Sequence, residues 1–227
     1  FINEITGGLA IPTVLINDTK NGTAILQSEA TLSLVGTLPT GITFNTITGA
    51  VGVNPLTPAD TYTFVYNLCE AANPSNCDLA TVTVIVSPVG SVGNYVWNDL
   101  NNNGINDDGS AGINGLTIEL WNANTNILVS TTTTANNGSG VAGYYNFIIA
   151  TSGNYKIKFP TTYTSKILTT QTAAAATDNN SDADTTTGFS PTFTINTNGA
   201  GNAKDNTTID AGFICPGGCV TVTIIKN

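Results

Sequence analysis

Within one short stretch oxygen-bearing side chains stand at the spacing Asp99, Asn101, Asn103 and Asp107, with Gly104 directly after Asn103. Carboxylates and side-chain amides are hard donors, and a tight loop that turns alternate residues inward gathers their oxygens around a hard cation. Positions one, three, five and nine of a calcium loop carry such side chains, position seven offers its backbone carbonyl, and position six is Gly, where the chain turns sharply. The spacing thus nominates Asp99, Asn101, Asn103, the carbonyl of Ile105 and Asp107 as calcium ligands. Position twelve departs from the pattern, because Ser110 stands where a bidentate Glu is expected. A loop rich in Asn and Gly can also close by bonding to its own backbone, and spacing alone does not separate that turn from a metal cage. Asp182 and Asp184 are alternate acids that repel each other unless a cation or water lies between them. Either Asp108 or an acid from elsewhere must supply what Ser110 lacks; Asp182 and Asp184 are nominated to close on the loop, with Asp178 and Asp210 as the next candidates.

The elements that must carry this loop are strands. No helical periodicity flanks it; alternating apolar runs at 91–97 and 116–121 stand on either side. In Tyr155-Lys-Ile-Lys-Phe159 and in Leu116–Trp121 the apolar residues alternate with polar ones, the mark of a half-buried strand. Upstream, short strands are expected at 24–27, 31–35, 42–44, 50–53, 60–68 and 81–86, separated by Gly, Pro and Asn turn signals. In 60–68, Tyr62, Phe64, Tyr66 and Leu68 share one face. Residues 160–191 form a long polar connection with an alanine run at 173–176, a length that points to a function or a tether. A last strand is expected at 220–225, its host domain open. The expected class is all-β, two immunoglobulin-like β-sandwich domains in tandem: 1–88, then 89–214 after the Ser87-Pro88 linker, with 215–227 as a C-terminal strand.

Composition narrows the function. The chain has 227 residues, 41% hydrophobic and 9% charged, enough for two domains with cores of their own. Fifteen carboxylates face six lysines, for a net charge of −9, and there is no Arg. Nucleic-acid binding needs clustered cations, so that class of partner is excluded. The absence of His removes the commonest general base and metal ligand, and no nucleophile–base pair is visible, so no enzyme is expected. No apolar run is long enough to span a bilayer. The chain begins at Phe1 without a signal-like segment and reads as a processed or excised piece of a longer polypeptide. The cysteines form two close pairs, Cys69 with Cys77 and Cys215 with Cys219, which in an acidic β-rich chain favour disulfides and an oxidising compartment; a four-thiolate zinc site is the rival.

Three motifs are set aside. Gly138-Ser-Gly-Val-Ala-Gly143 matches a dinucleotide-binding pattern, but it lies between strands and reads as a hairpin loop. Five Asn-x-Ser/Thr triplets, at Asn17, Asn21, Asn137, Asn179 and Asn206, are what chance yields in a chain so rich in Asn and Thr. An intramolecular isopeptide bond would need a lysine in the first strand of the second domain, and 91–97 has none; Lys156 and Lys158 point outward by alternation.

Leu38-Pro-Thr-Gly-Ile-Thr-Phe-Asn45, Thr48-Gly49 and Thr57-Pro-Ala-Asp-Thr-Tyr-Thr-Phe64 resemble the immunoglobulin-like and cadherin-like repeats of bacterial surface proteins, over about residues 20–87. From Gly93-Asn-Tyr-Val-Trp-Asn-Asp99 through Gly112-Ile-Asn-Gly-Leu-Thr-Ile-Glu-Leu120, Gly143-Tyr-Tyr-Asn-Phe147, Ser181-Asp-Ala-Asp184 and Ile209-Asp-Ala-Gly-Phe213, the chain is similar to the SdrD B-type repeat, a calcium-binding relative of the collagen-adhesin B domain. That resemblance implies a sandwich that binds Ca2+, at the loop and through the acidic stretch. It implies a spacer in a bacterial cell-surface adhesin or extracellular fibre, outside the cell. Expected partners are neighbouring modules of the same polypeptide, identical subunits, or a host or surface ligand. A self-assembling filament subunit that adds a strand to its neighbour, and a glycan- or protein-binding module, are the alternatives.

Overall fold

Runs of alternating apolar and polar residues, broken every few residues by Gly, Pro or Asn, leave little choice but short strands. The computed structural model describes residues 2–109, 111–172 and 179–217, and among them there is no α-helix. The chain is all-β, as expected. It divides into two compact units, Phe1–Val89 and Gly90–Asn227. The alanine run at 173–176, Asp178, Ser110, Cys219 and the strand expected at 220–225 lie outside the described residues.

The first unit contains β1 (Gly8–Ile11), β2 (Thr19–Lys20), β3 (Thr23–Ala24), β4 (Ala30–Val35), β5 (Ile42–Phe44), β6 (Val51–Val53), β7 (Asp60–Glu70) and β8 (Asn73–Val86). Sheets β1-β6-β5 and β4-β7-β8 are antiparallel throughout. Phe64 and Tyr66 of β7, Val82, Val84 and Val86 of β8, Leu32 of β4 and Val51 and Val53 of β6 form one buried cluster. β8 runs well beyond the 81–86 expected for it. Cys69 and Cys77 sit directly opposite each other and are disulfide-bonded, which carries the β7–β8 ladder out to its tip.

The second unit contains β9 (Gly90–Val92), β10 (Val96–Asn98), β11 (Thr117–Asn122), β12 (Ile127–Thr133), β13 (Phe147–Ile149), β14 (Gly153–Lys158), β15 (Thr162–Tyr163), β16 (Lys166–Leu168), β17 (Phe193–Ile195), β18 (Asp205–Asn206) and β19 (Ala211–Ile214). Its sheets run β12-β11-β14-β17, β10-β19-β16-β15 and β13-β9-β18. Ile118, Leu120, Ile157 and Ile195 from the first sheet meet Val96, Leu168, Ala211 and Phe213 from the second and Val92, Phe147 and Ile149 from the third in one core. On the outer face of the first sheet Trp121 meets Phe189 edge-on, and Lys156 and Lys158 lie over Phe189. The lysines thus point outward, as the alternation requires. Trp121 differs from Trp97, which is wholly buried.

The 91–97 run is not one strand. β9 pairs with β13 and, in parallel, with β18, whereas β10 pairs in parallel with β19, so the chain changes sheet between Val92 and Val96. Two facts explain the break. A Cβ at Gly93 would sit 2.4 Å from the Tyr145 carbonyl, so only glycine allows this approach. The backbone N–H groups of Asn94 and Tyr95 leave the ladder and donate to Asp210 Oδ1 at 3.3 and 2.8 Å. The glycine-rich stretch 138–143 is a tight turn beside the bridged pair Ala135 and Tyr144, with no helix to bind a phosphate.

Candidate metal centre

The loop begins where β10 ends. Asp99 donates its backbone N–H to the Phe213 carbonyl of β19 at 2.9 Å, and its carboxylate is 1% exposed. Burying a carboxylate is costly unless donors surround it, and here they do. Oδ1 accepts from Asn102 N at 2.7 Å, and Oδ2 accepts from Gly104 N at 2.8 Å and from the Thr169 hydroxyl. Thr169 follows β16, is itself 1% exposed, and is fixed by its N–H to the Gly212 carbonyl at 3.0 Å. Gly212 lacks the Cβ that would meet Thr169 at 2.6 Å and the Trp97 ring at 3.0 Å, so both side chains pack onto it.

The turn itself needs left-handed backbone at Asn102 (φ +58°) and Gly104 (φ +74°). Asn tolerates that region and Gly has no penalty there. A Cβ at Gly104 would stand 2.4 Å from the Thr170 carbonyl. Asn101 Oδ1 and Asn103 Oδ1 accept from the backbone two residues on, at 3.0 and 2.8 Å. Their amide nitrogens donate to the two oxygens of Asp107 at 3.1 and 3.0 Å. The side chains of Asn101 and Asn103 therefore meet on the Asp107 carboxylate through their amide nitrogens, while their oxygens face the loop backbone. Asp108 closes the neck, accepting from Leu100 N at 2.7 Å.

A second segment holds the loop from outside. Ile105 bridges Asn180, Asn106 N donates to the Asn179 carbonyl at 2.7 Å, and Ser181 N donates to the Gly104 carbonyl at 2.8 Å. Thr172 adds its hydroxyl to the same Gly104 carbonyl at 2.9 Å. The 179–181 segment thus reaches the loop with its backbone, not with the carboxylates of Asp182 and Asp184. Asp182 pairs with Asp210: its N–H donates to the Asp210 carbonyl and its Oδ2 accepts from Asp210 N, both at 2.8 Å. Burial raises its pKa to about 6, against the lowering effect of the bonds its carboxylate accepts from Asp210 N and Asn180 Nδ2. Tyr145, whose hydroxyl donates to the Ile209 carbonyl, is pushed well above its ordinary value by burial and by the charges of Asp210 and Asp182. Asp184 caps its own turn, accepting from Thr187 N at 2.7 Å, Thr187 Oγ1 at 2.8 Å and Thr186 N at 3.1 Å, and these bonds hold its carboxyl below its usual value.

The donor set of the loop suits a hard cation. Asp99, Asn101, Asn103, Asp107 and the Ile105 carbonyl offer oxygen only, which selects against soft metals. A carboxylate has about four lone-pair sites, and the contacts to Asn102, Gly104 and Thr169 leave Asp99 one more. Acids are few: among the described residues no three His, Cys, Asp or Glu side chains form a metal-holding group. Spacing does not single out Thr169 or Asn102, whereas Asp108 is an expected stand-in for the missing twelfth-position acid. Asp108 carried a signal, since it adjoins Asp107; Thr169 sits in a threonine-rich run and carried none. Away from the loop, Cys215 accepts from Lys166 Nζ at 3.2 Å, and Cys219 lies outside the described residues.

The family model for the SdrD B-like domain matches residues 90–213. Serine-aspartate repeat-containing protein D of Staphylococcus aureus is 32% identical over 203 residues, which cover 86% of this chain and 14% of that protein. Serine-aspartate repeat-containing protein F of Staphylococcus epidermidis is 36% identical over 128 residues, 56% of this chain and 7% of that protein. The chain therefore spans a small part of the curated relatives it matches. Among solved structures, the group B streptococcus pilus 2b backbone protein aligns over 95% of this chain and 90% of that one, at 10% identity and a TM-score of 0.33, a likeness that carries no argument.

Proposed function

Because this chain belongs to the SdrD B-like domain family through residues 90–213, we propose that it is a calcium-stiffened spacer in a bacterial cell-surface adhesin or extracellular fibre. The observation that carries this reading is the anchorage of the loop. One buried carboxylate, Asp99, is bonded to the loop's own backbone and to Thr169, while the loop's far side is paired with 179–181. Asp99, Asn101, Asn103, the Ile105 carbonyl and Asp107 would hold the ion. Bound calcium would supply a positive centre to Asp99 and Asp107 and so draw the loop's two ends together. The residues of the chain do the rest. Thr169 orients the Asp99 carboxylate, Gly104 permits the turn, and 179–181 bind the loop to the long connection after β16. We leave Asp182 and Asp184 outside this loop cage, because their carboxylates accept from Asp210 N and Asn180 and from the 186–187 turn.

The consequence is mechanical. An ion that binds only the folded state adds about 2.7 kcal/mol when present at a hundredfold over its Kd, and it does so where a loop and a long connection meet. Neighbouring modules of the same polypeptide are the natural partners of such a spacer, with the acidic, arginine-free surface facing the medium. The test is thermal unfolding of the full chain with calcium and with chelator. The second unit should melt higher with calcium, and an unchanged curve would overturn the reading.

A further inference from the structure

Five Asn-Gly steps occur in the chain, at Asn21, Asn103, Asn114, Asn137 and Asn198. A glycine that follows an asparagine places an unshielded backbone nitrogen beside the side-chain carboxamide, and the two can react wherever both are free to meet. We propose that Asn21–Gly22 is the site of spontaneous deamidation in this protein and that the fold holds the other four back.

The reaction needs only water. Gly22 N loses its proton to solvent base and bonds to Asn21 Cγ. The Cγ–Nδ2 bond then breaks, and the nitrogen leaves as ammonia after taking up a proton. The resulting cyclic imide is opened by one water at either carbonyl. Opening gives aspartate with a normal backbone or isoaspartate, whose main chain runs through the former side chain.

The hydrogen bonds sort the five sites. Gly104 N donates to Asp99 Oδ2 at 2.8 Å, Gly115 N to the Thr134 carbonyl at 2.8 Å and Gly199 N to the Asn196 carbonyl at 2.8 Å. At these three the nucleophile is tied up. The carboxamides of Asn103 and Asn114 are held too, the latter by Gly143 N at 2.7 Å and Asn136 Oδ1 at 2.6 Å. At Asn137 the electrophile is held instead, since Oδ1 accepts from Ser139 N and Val141 N at 2.9 Å each. Asn21 and Gly22 are exposed, and among the described residues neither the Asn21 carboxamide nor Gly22 N is in a hydrogen bond. They form the two-residue connection of β2 and β3, left-handed at both positions (φ +53° and +79°), in a hairpin of just two residue pairs. So short a hairpin opens readily.

The product would not be silent. Lys20, the residue before Asn21, reaches Glu70 at 2.6 Å and Glu29 at 3.9 Å. Isoaspartate lengthens a connection whose length fixes the Lys20–Thr23 register. The new carboxylate joins Asp18, Glu70 and Asp78 around a cleft of about 460 Å³.

The full chain, incubated in mildly alkaline buffer with and without denaturant, is digested and read by peptide mass spectrometry for a gain of one dalton and for isoaspartate. Asn21 should convert at nearly the same rate folded and unfolded. Asn103, Asn114 and Asn198 should convert at least about tenfold more slowly when folded, because their glycine N–H must first be released by local opening. Asn21→Gln should abolish the fastest ammonia release. Slowing of Asn21 by folding to the same degree as the others, or unchanged ammonia release from Asn21→Gln, would overturn the proposal.

Discussion

Thr169 and Asp99, seventy residues apart in the chain, share a buried hydrogen bond in which the hydroxyl donates to Asp99 Oδ2. It fastens the loop after β10 to the end of β16 and makes Asp99 a structural residue whether or not an ion is present. Thr169→Val keeps the shape and removes the donor. A hydrogen bond to a charged group contributes about 1.5–3 kcal/mol, so the second unit should unfold several degrees lower, and its calcium affinity should fall with it. Thermal unfolding and a calcium titration of the same variant check both. A wild-type melting temperature would show that the bond does not hold the loop.

The acid pair gives a pH dependence with an unusual sign. Asp182 has its carboxyl raised to about 6 in the folded chain, above the ordinary value near 3.8. The folded state therefore binds the proton more tightly than the unfolded one between those values, and stability from this group is present at low pH and lost as pH rises through about 6. The full effect is roughly 3 kcal/mol at most. Asp184 works the other way. Its carboxyl is held low by the Thr187 and Thr186 bonds, so its contribution is present above the ordinary value and lost only as pH falls through the lowered one. In calcium-free buffer the second unit should thus gain stability from pH 7 to pH 5, and Asp182→Asn should flatten that slope. A wild-type slope in Asp182→Asn would put the effect elsewhere.

Much of this was legible in the sequence, and the gaps have physical causes. The alternation in 116–121 and 155–159 assigns Leu116, Ile118, Leu120, Tyr155, Ile157 and Phe159 to the interior, and all six are buried. Side chains on a strand announce their face because the period is two. The break inside 91–97 was not legible, since it depends on Asp210, more than a hundred residues later, taking the Asn94 and Tyr95 N–H groups. Spacing singled out the loop residues from Asp99 to Asp107, but Thr169 looks like any other threonine. Asp182 and Asp184 read as a pair because they alternate. Their partners, Asp210 on one side and the 186–187 turn on the other, are matters of tertiary contact.

The disulfide makes a prediction confined to the first unit. Cys69 and Cys77 close a ring of eight residues' separation on a hairpin that is already paired. Loop-closure entropy for so small a ring gives about 2–3 kcal/mol. Replacing both cysteines with alanine should lower the unfolding free energy of the first unit by about that much and leave the second unit's transition where it was. Denaturant unfolding followed by a probe in each unit would decide. A shift in the second transition would mean the units unfold together.

Gly104→Ala tests the loop geometry directly. The position is left-handed at φ +74°, and the added methyl would meet the Thr170 carbonyl at 2.4 Å. Strain in that region costs about 1–3 kcal/mol for a non-glycine residue, and here the clash is with backbone, which has no rotamer to yield. The turn must open, which takes Gly104 N away from Asp99 and the Gly104 carbonyl away from Ser181 and Thr172. The variant should therefore lose stability in chelator and also lose any gain that calcium gives the wild type, whereas Asp107→Asn should lose the second and, in chelator, only one exposed bond to Asn101 or Asn103. If Gly104→Ala melts lower yet keeps the full calcium gain, the ion binds somewhere other than this loop.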